Sequence, residues 1–390
     1  MRRIGFVGLA LFIGLALQPA SAAISTTAEH ALLMDGDTGQ VLWAKDAFVP
    51  MPPASMSKLM TVEILFKELK DGRIKLSDKF PVSEAAWRTG GSKGFTRVGD
   101  HLTVEDLIQR IIVVSGNDAC IVVAEALGGT TANFVAMMNA RAKQLGLNQS
   151  HFVNPDGLPD PPGQSMSAFD LAKLARHLIY DYPQYYHFFS VKDYTTYDNG
   201  KPITQANRDL TLDKIEGADG LKTGHIDASG YGITASAKRD GHRMILVLNG
   251  LRYPEYNNDY FPNIKRSEEA GRIIDMAFRE FRQYQLFKPG DAVGQAQVWG
   301  GTMNTVPMTV KAPLALTLQV DSRPGMKVAV GYDGPIKAPI VAGQKIGTLK
   351  VTAPDFPGLT MPLYAANDVP RAGIFGRMML GISAFFSGTK

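Results

Sequence analysis

The hydrophobic period of this chain changes twice, and few architectures survive that pattern. Ala31-Leu32-Leu33-Met34 and Gln40-Val41-Leu42-Trp43 flank Asp35-Gly36-Asp37-Thr38-Gly39, which reads as two strands joined by a turn. From Ser55 to Leu69 the apolar residues Leu59, Val62, Leu65, Phe66 and Leu69 recur at helical spacing, and Asp71-Gly72 closes the run. Thr103-Val104-Glu105-Asp106 has the form of a capping box opening a second helix over 107–114. Further helices are expected over 119–127, 131–145 and 168–180. At Gly220 the period returns to two. Strands are predicted over 221–225 and 231–237, and Arg239-Asp240-Gly241-His242 turns the chain into the apolar strand 244–248. Helix resumes over 267–281. Strands at both ends with helices between imply an α+β domain, one antiparallel sheet covered by helices. After Lys288-Pro289-Gly290 the texture shifts to short alternating runs, such as Leu316-Thr317-Leu318-Gln319-Val320, separated by Gly and Pro as far as Leu363. That is a small all-β domain.

The two ends have a different character. Met1-Arg2-Arg3, the apolar run Ile4–Leu17 and Ala20-Ser21-Ala22 form the three regions of a secretory leader. As a helix the apolar run would be about 21 Å long, short of the ~30 Å hydrocarbon core, so cleavage is favoured over an uncleaved anchor. The expected layout is a signal peptide over 1–22, a catalytic domain over 23–288, a β-rich domain over 289–368 and a terminal helix over 369–390. In that tail Ile374, Met378, Ile382, Phe385 and Phe386 share one helical face, with Arg371 and Lys390 flanking the run. A helix of roughly 20 Å is too short to span a bilayer, and one lying in the interface fits better than one docked on its own domain.

Composition removes several kinds of chemistry. The single cysteine, Cys120, excludes an internal disulfide and a multi-thiolate metal site. The 7 histidines form no His-Glu-x-x-His pair, so no metal and no cofactor is expected. With 41 Lys+Arg against 37 Asp+Glu, the charge of +4 gives no basic excess to suggest nucleic acid as a partner.

Three short motifs carry the chemistry: Ser55-Met56-Ser57-Lys58, Ser115-Gly116-Asn117 and Lys222-Thr223-Gly224. Ser-x-x-Lys alone is weak, since Ser387-Gly388-Thr389-Lys390 matches it too. In this order and these placements the three are specific. A serine hydroxyl is a poor nucleophile at neutral pH and needs a base within about 3 Å. Residues i and i+3 share a helix face, so Lys58 can reach Ser55, which stands at a helix start where serine often caps. Desolvation and a second positive charge, here Lys222, both push a lysine pKa down and so make it a base. Lys222 and the Thr223 hydroxyl suit a substrate carboxylate, and Gly224 admits a close backbone approach.

The motif set belongs to penicillin-binding proteins and class A β-lactamases. The longer stretches 53–61, 115–120 and 219–225 resemble the low-molecular-mass penicillin-binding proteins that are serine D-alanyl-D-alanine carboxypeptidases. The resemblance covers nearly the whole chain after the leader, including the β-rich domain and the tail. It implies a β-lactamase/transpeptidase-like catalytic domain and an acyl-enzyme on Ser55. It further implies that Ser115 relays a proton to the leaving amine and that Asn117 holds both Lys58 and the substrate amide. The backbone amides of Ser55 and His225 would stabilise the oxyanion, while the His225 ring itself does no chemistry. Asn207-Arg208 resembles a segment that helps hold the carboxylate, although a lone loop arginine otherwise reads as a surface charge. In Asn154-Pro155-Asp156-Gly157-Leu158 some relatives carry a histidine where Asp156 stands, and the segment itself reads as a turn. Cys120 reads as a small packed hydrophobe rather than a reactive thiol.

A class A lactamase activates water with a glutamate. Between Asn117 and Lys222 the glutamates are Glu125 and Glu216, neither in a suitable loop, so penicillin is expected to acylate Ser55 and stay. The implied partners are peptidoglycan stem peptides, β-lactam antibiotics and, through the tail, the cytoplasmic membrane surface. The implied location is exported, at the outer face of that membrane. A D,D-endopeptidase of cross-links and a non-catalytic envelope-binding protein remain as alternatives.

Overall fold

A computed structural model describes residues 24–198 and 201–373; the expected leader and the amphipathic run from Ile374 lie outside the described residues. Five strands form the first sheet: β1 (His30–Asp35), β2 (Val41–Lys45), β3 (Ala218–Ile226), β4 (Gly230–Arg239) and β5 (His242–Leu251). Their order is β2-β1-β5-β4-β3, every neighbour antiparallel, with β3 at an edge. The two ends of the domain meet at β1 and β5, where His30 pairs with Asn249 and Asp35 with Met244.

The sheet is buried on both faces. On β1, Leu32 and Met34 join one core while Ala31 and Leu33 join the other; on β5, Ile245 and Val247 face the first and Met244, Leu246 and Leu248 the second. Successive strand side chains point to opposite faces, so a strand covered on both sides reads as an unbroken apolar run, as 244–248 does. The first face carries α1 (Lys58–Lys70), α2 (Val104–Ile112), α3 (Asn117–Gly128), α4 (Thr131–Leu145) and α5 (Ala168–Asp181). They pack through residues such as Leu65, Ile111, Val122, Phe134 and Leu174. The second face is covered by α6 (Tyr260–Glu280) through Ala270, Ile273, Ile274 and Ala277.

Helix boundaries differ from the sequence expectation in physically clear ways. Thr103 does cap α2, its hydroxyl accepting from Asp106 N at 3.1 Å, but the helix starts at Val104 rather than Leu107. The Asp106 carboxylate does not complete the box; it accepts from Arg110 Nε at 2.7 Å. Helix α6 begins at Tyr260, well ahead of Ser267, because Pro262 falls in the first turn, where no intrahelical N–H is needed. Its first turn leaves Tyr260 and Phe261 exposed, so the apolar period is absent there.

The second unit is all β, with one short 3-10 turn at Val320–Gly325. Its first strand, Phe281–Phe287, pairs with Leu314–Gln319, so this unit starts before the expected residue 289. Its core is Val306, Leu316, Leu349, Val351 and Leu363. The two units are joined by a reciprocal amide bond: Gln40 Nε2 donates to Thr317 O at 2.7 Å and Thr317 N donates to Gln40 Oε1 at 3.1 Å. Beside it the Thr317 hydroxyl donates to Asp35, and His242 Nε2 lies 2.8 Å from Asp35 Oδ2. Burial alone would push the Asp35 carboxyl up, but its bonds from His242, Thr317 and Thr38 hold it below the usual carboxylate range.

Candidate active site

The nucleophile candidate sits on a strained turn. Ala54–Ser57 is a 3-10 turn leading into α1, entered through Ala54 at φ +48°. Ser55 caps nothing. The structural work falls to Ser57, whose hydroxyl donates to Ala54 O at 2.9 Å and accepts from Gln164 Nε2 at 2.9 Å. Ser55 is left half-buried beside the cleft. One turn on, Lys58 is fully buried, and its Nζ lies 2.7 Å from Ser55 Oγ, 2.7 Å from Asn117 Oδ1 and 2.5 Å from Asp156 O.

Those three partners suit a neutral amine. Asn117 Oδ1 and the Asp156 carbonyl can only accept, so each takes one of the amine's hydrogens. A neutral amine then keeps its lone pair for the third partner, and the Ser55 hydroxyl can donate to it. Burial pushes the Lys58 pKa below its ordinary value, against the opposing charges of Asp156 and Asp118. Cys120, also buried there, has its thiol pushed up to about 12 by burial and is protonated at neutral pH. It is a packing residue, as expected.

Asn117 is held from behind. Its Nδ2 donates to Gly90 O at 2.8 Å and its backbone N to Ser92 O at 2.8 Å. The 90–96 loop is tied down by the buried Asp118 carboxylate, which accepts from Gly94 N at 2.7 Å, Thr96 N at 3.0 Å and Thr96 Oγ1 at 3.1 Å. Asn117 therefore meets Lys58 through Oδ1 and the 90–96 loop through Nδ2. Just before α3, Ser115 adopts φ +60°, a left-handed conformation costing roughly 1–3 kcal/mol outside glycine. The polar interruption in the sequence is this strained turn, from which the Ser115 hydroxyl meets Lys222 Nζ at 3.1 Å.

The third motif lies on the edge strand β3. Lys222 is buried, with Nζ 3.1 Å from Ser115 Oγ and 3.1 Å from Thr223 O. Burial, then the charges of Lys58 and Arg266, push its pKa well below the ordinary lysine value. Burial pushes both lysine pKa values down, and the two amines' charges oppose one another across the site. Gly224 packs against the Ser55 turn so closely that a Cβ would sit 2.8 Å from Pro53 O and 3.2 Å from Met56 N. His225 stacks on Tyr231, ring centroids 3.8 Å apart and planes 5° apart.

A cavity of about 160 Å³ brings Ser55, Ser115, Arg208, Thr223, Gly224 and His225 together. Besides Arg208, a residue the sequence reading missed lines it, Arg266 of α6. Arg266 is almost fully buried, and burial lowers its pKa to about 10. Its Nη2 donates to Arg208 O at 3.2 Å and its Nη1 to Gly224 O at 3.4 Å, so it braces both sides of the cleft. An arginine inside a helix carries no such signal in sequence. The segment 154–158, read as a turn, also contributes: Thr61 Oγ1 donates to Pro155 O at 2.6 Å, fixing the Asp156 carbonyl on Lys58.

A model of the D-alanyl-D-alanine carboxypeptidase family matches residues 17–251, and one of the penicillin-binding protein 5 C-terminal domain matches 281–371. The chain is 34% identical to the D-alanyl-D-alanine carboxypeptidase DacD of Salmonella typhimurium, over 97% of both chains. It is 32% identical to DacF of Bacillus subtilis over 90% of this chain and 88% of that one. Among solved structures, DacD from Francisella tularensis superposes with a TM-score of 0.77 at 29% identity, covering 91% of this chain and 96% of that chain. Penicillin binding protein 5 from Haemophilus influenzae gives 0.77 at 32% identity, over 89% and 98%. Matched at 34% identity along almost its whole length, the chain belongs to the D-alanyl-D-alanine carboxypeptidase family, peptidase S11.

Proposed function

We propose that this chain is a serine D-alanyl-D-alanine carboxypeptidase that removes the terminal D-alanine of peptidoglycan stem peptides through an acyl-enzyme on Ser55. The observation that carries the reading is a fully buried lysine amine 2.7 Å from that hydroxyl, with acceptors on its other two sides. Lys58 Nζ takes the Ser55 proton as Oγ bonds to the carbonyl carbon of the scissile amide. The resulting oxyanion is met by the backbone N–H groups of Ser55 and His225, held in register by the contact of Gly224 with the Ser55 turn. As the C–N bond breaks, the leaving amine takes the proton that Lys58 gained, delivered through Ser115, whose hydroxyl Lys222 orients. Water then attacks the ester with Lys58 again as base. Asn117 orients Lys58 through its Oδ1 and also meets the substrate amide. The substrate carboxylate is held by Thr223 and Arg208, with the charges of Lys222 and Arg266 close behind them.

Penicillin acylates the same serine. The cavity's one carboxylate among the described residues, Asp259, accepts from Tyr231 OH at 2.5 Å, and no glutamate lines it. With no glutamate lining the cavity to activate water, the penicilloyl adduct persists for minutes or longer; mass spectrometry showing it gone within seconds would reject this. Incubation with a pentapeptide stem and with a cross-linked dimer, then weighing the products, tests the main reading. Loss of one alanine from the stem supports it; cleavage of the dimer alone favours the endopeptidase, and no product from either leaves only an envelope-binding role. We further propose export and peripheral attachment to the outer face of the cytoplasmic membrane through the terminal tail. Arg371 and Ala372 are tied to the β-rich unit, pairing with Gly301 and donating to Gly300 O, so truncation after Gly373 is the clean test. The truncated protein should leave the membrane pellet and keep its activity; continued sedimentation with membranes would refute the tail's role.

A further inference from the structure

Beyond His225 the catalytic cavity continues into a larger one of about 470 Å³, lined by Asp227, Tyr231, Tyr253, Tyr256, Asn257 and Asp259 among others. His225, Tyr231 and Asp259 line both. The two compartments carry opposite charge. Arg208 and Arg266 line the first, with Lys58 and Lys222 behind its wall. The second presents the carboxylates of Asp227 and Asp259. Its arginine, Arg252, is occupied elsewhere: Nε donates to Glu29 Oε1 at 2.9 Å, and the two Nη groups donate to Asp227 O at 3.2 Å and Ala228 O at 3.1 Å. Burial lowers the pKa of His225 despite the nearby Asp259 and Asp227, so the ring between the compartments is uncharged at neutral pH.

The edge strand β3 runs from one compartment to the other. Thr223 stands at the cationic end; His225, two residues and about 7 Å on at 3.3 Å per residue, has its Nδ1 3.5 Å from Asp259 Oδ1, and Asp227 opens the turn just past the strand's end at Ile226. An extended peptide added along this edge, its terminal carboxylate near Thr223, would place its third residue from the carboxyl terminus about 7 Å along. That is level with His225, beside which the Asp259 carboxylate stands. Resting on the carboxypeptidase reading, we propose that the second cavity is a specificity subsite for a free primary ammonium on the side chain of the substrate residue third from the carboxyl terminus. Asp259 and Asp227 supply its counter-charge, and the tyrosine faces add cation–π attraction. A stem peptide whose side-chain amine has been acylated by cross-linking would lose this contact.

The test uses the purified full chain and two peptides, Nα-acetyl-L-Lys-D-Ala-D-Ala with the side-chain amine free or acetylated, and follows D-alanine release at neutral pH. The expected result is kcat/KM higher by about tenfold for the free amine, the size of one charge-assisted contact, expressed mainly in KM. Asp259→Asn and Asp227→Asn should each bring the ratio toward one. A purely structural loss would slow both peptides alike and leave the ratio unchanged. Equal rates in the wild-type protein, or a ratio that neither substitution alters, would overturn the proposal while leaving the carboxypeptidase reading intact. Release from neither peptide would overturn both.

Discussion

Gly224 offers a test of how the edge strand and the serine turn cooperate. Its φ lies outside the left-handed region, so alanine is allowed by the backbone and any effect is steric. The added methyl would meet Pro53 O at 2.8 Å, Ala54 Cβ at 3.2 Å and Met56 N at 3.2 Å. Two of those are backbone atoms of the turn that carries Ser55, and they cannot swing aside. Restoring ordinary contact requires the strand to retreat by about 0.5 Å, at a cost of roughly 1–3 kcal/mol in stability. The same retreat separates the His225 N–H from the Ser55 N–H. Oxyanion donors act only within about 2.7–3.1 Å, and losing one costs about 10²–10³ in rate. Gly224→Ala should therefore fold with a somewhat lowered Tm, retain the Ser55–Lys58 pair and acylate with penicillin about a hundredfold more slowly. Stopped-flow acylation alongside thermal denaturation measures both. A variant that acylates at the wild-type rate would refute the proposed oxyanion geometry.

Two further substitutions probe what supports the site. Asp118→Ala removes the buried acceptor for Gly94 N and both Thr96 donors, freeing the loop that clamps Asn117; it should cost about 3 kcal/mol by chemical denaturation and slow acylation more than it weakens penicillin binding. Thr317→Val removes a bond to the buried Asp35 carboxylate at the junction of the two units, costing about 1–3 kcal/mol. Because Asp35 is held below its ordinary 3.8, its contribution is fully present above that pH and is lost as pH falls through the lower folded value. Calorimetry should accordingly show the two units melting more independently in acid, and sooner in Thr317→Val; one unchanged cooperative transition down to pH 3 would contradict the junction's role.

Much of this was legible in residue order. Period-two runs bracketing a helical stretch imply a single covered sheet, and the three motifs fall on a turn, a helix start and an edge strand whose side chains converge. The illegible parts share a cause: they depend on the backbone or on distant partners. The Asp156 carbonyl is a site group whatever side chain stands there, and it reads as a turn. Arg266 reaches the cleft only because α6 crosses the sheet face beneath it. Lys222, whose motif suggests a carboxylate holder, also turns its amine onto Ser115, a contact that no spacing shows. Phe281–Phe287 becomes a strand through pairing with Leu314–Gln319, a contact no local pattern announces.

The central claim is that the amine at position 58 is neutral when the serine reacts. It is tested most directly by the pH dependence of Ser55 acylation, paired with NMR of ε-labelled lysine in the folded protein. Burial lowers the Lys58 pKa below 10.5, so the folded protein releases its proton earlier than a free lysine does. Acylation should rise with pH along the same titration curve as the Lys58 resonance, with a midpoint below 10.5, and that limb should vanish in Lys58→Met. A Lys58 resonance titrating at the ordinary lysine value, while acylation proceeds fully at neutral pH, would contradict the account.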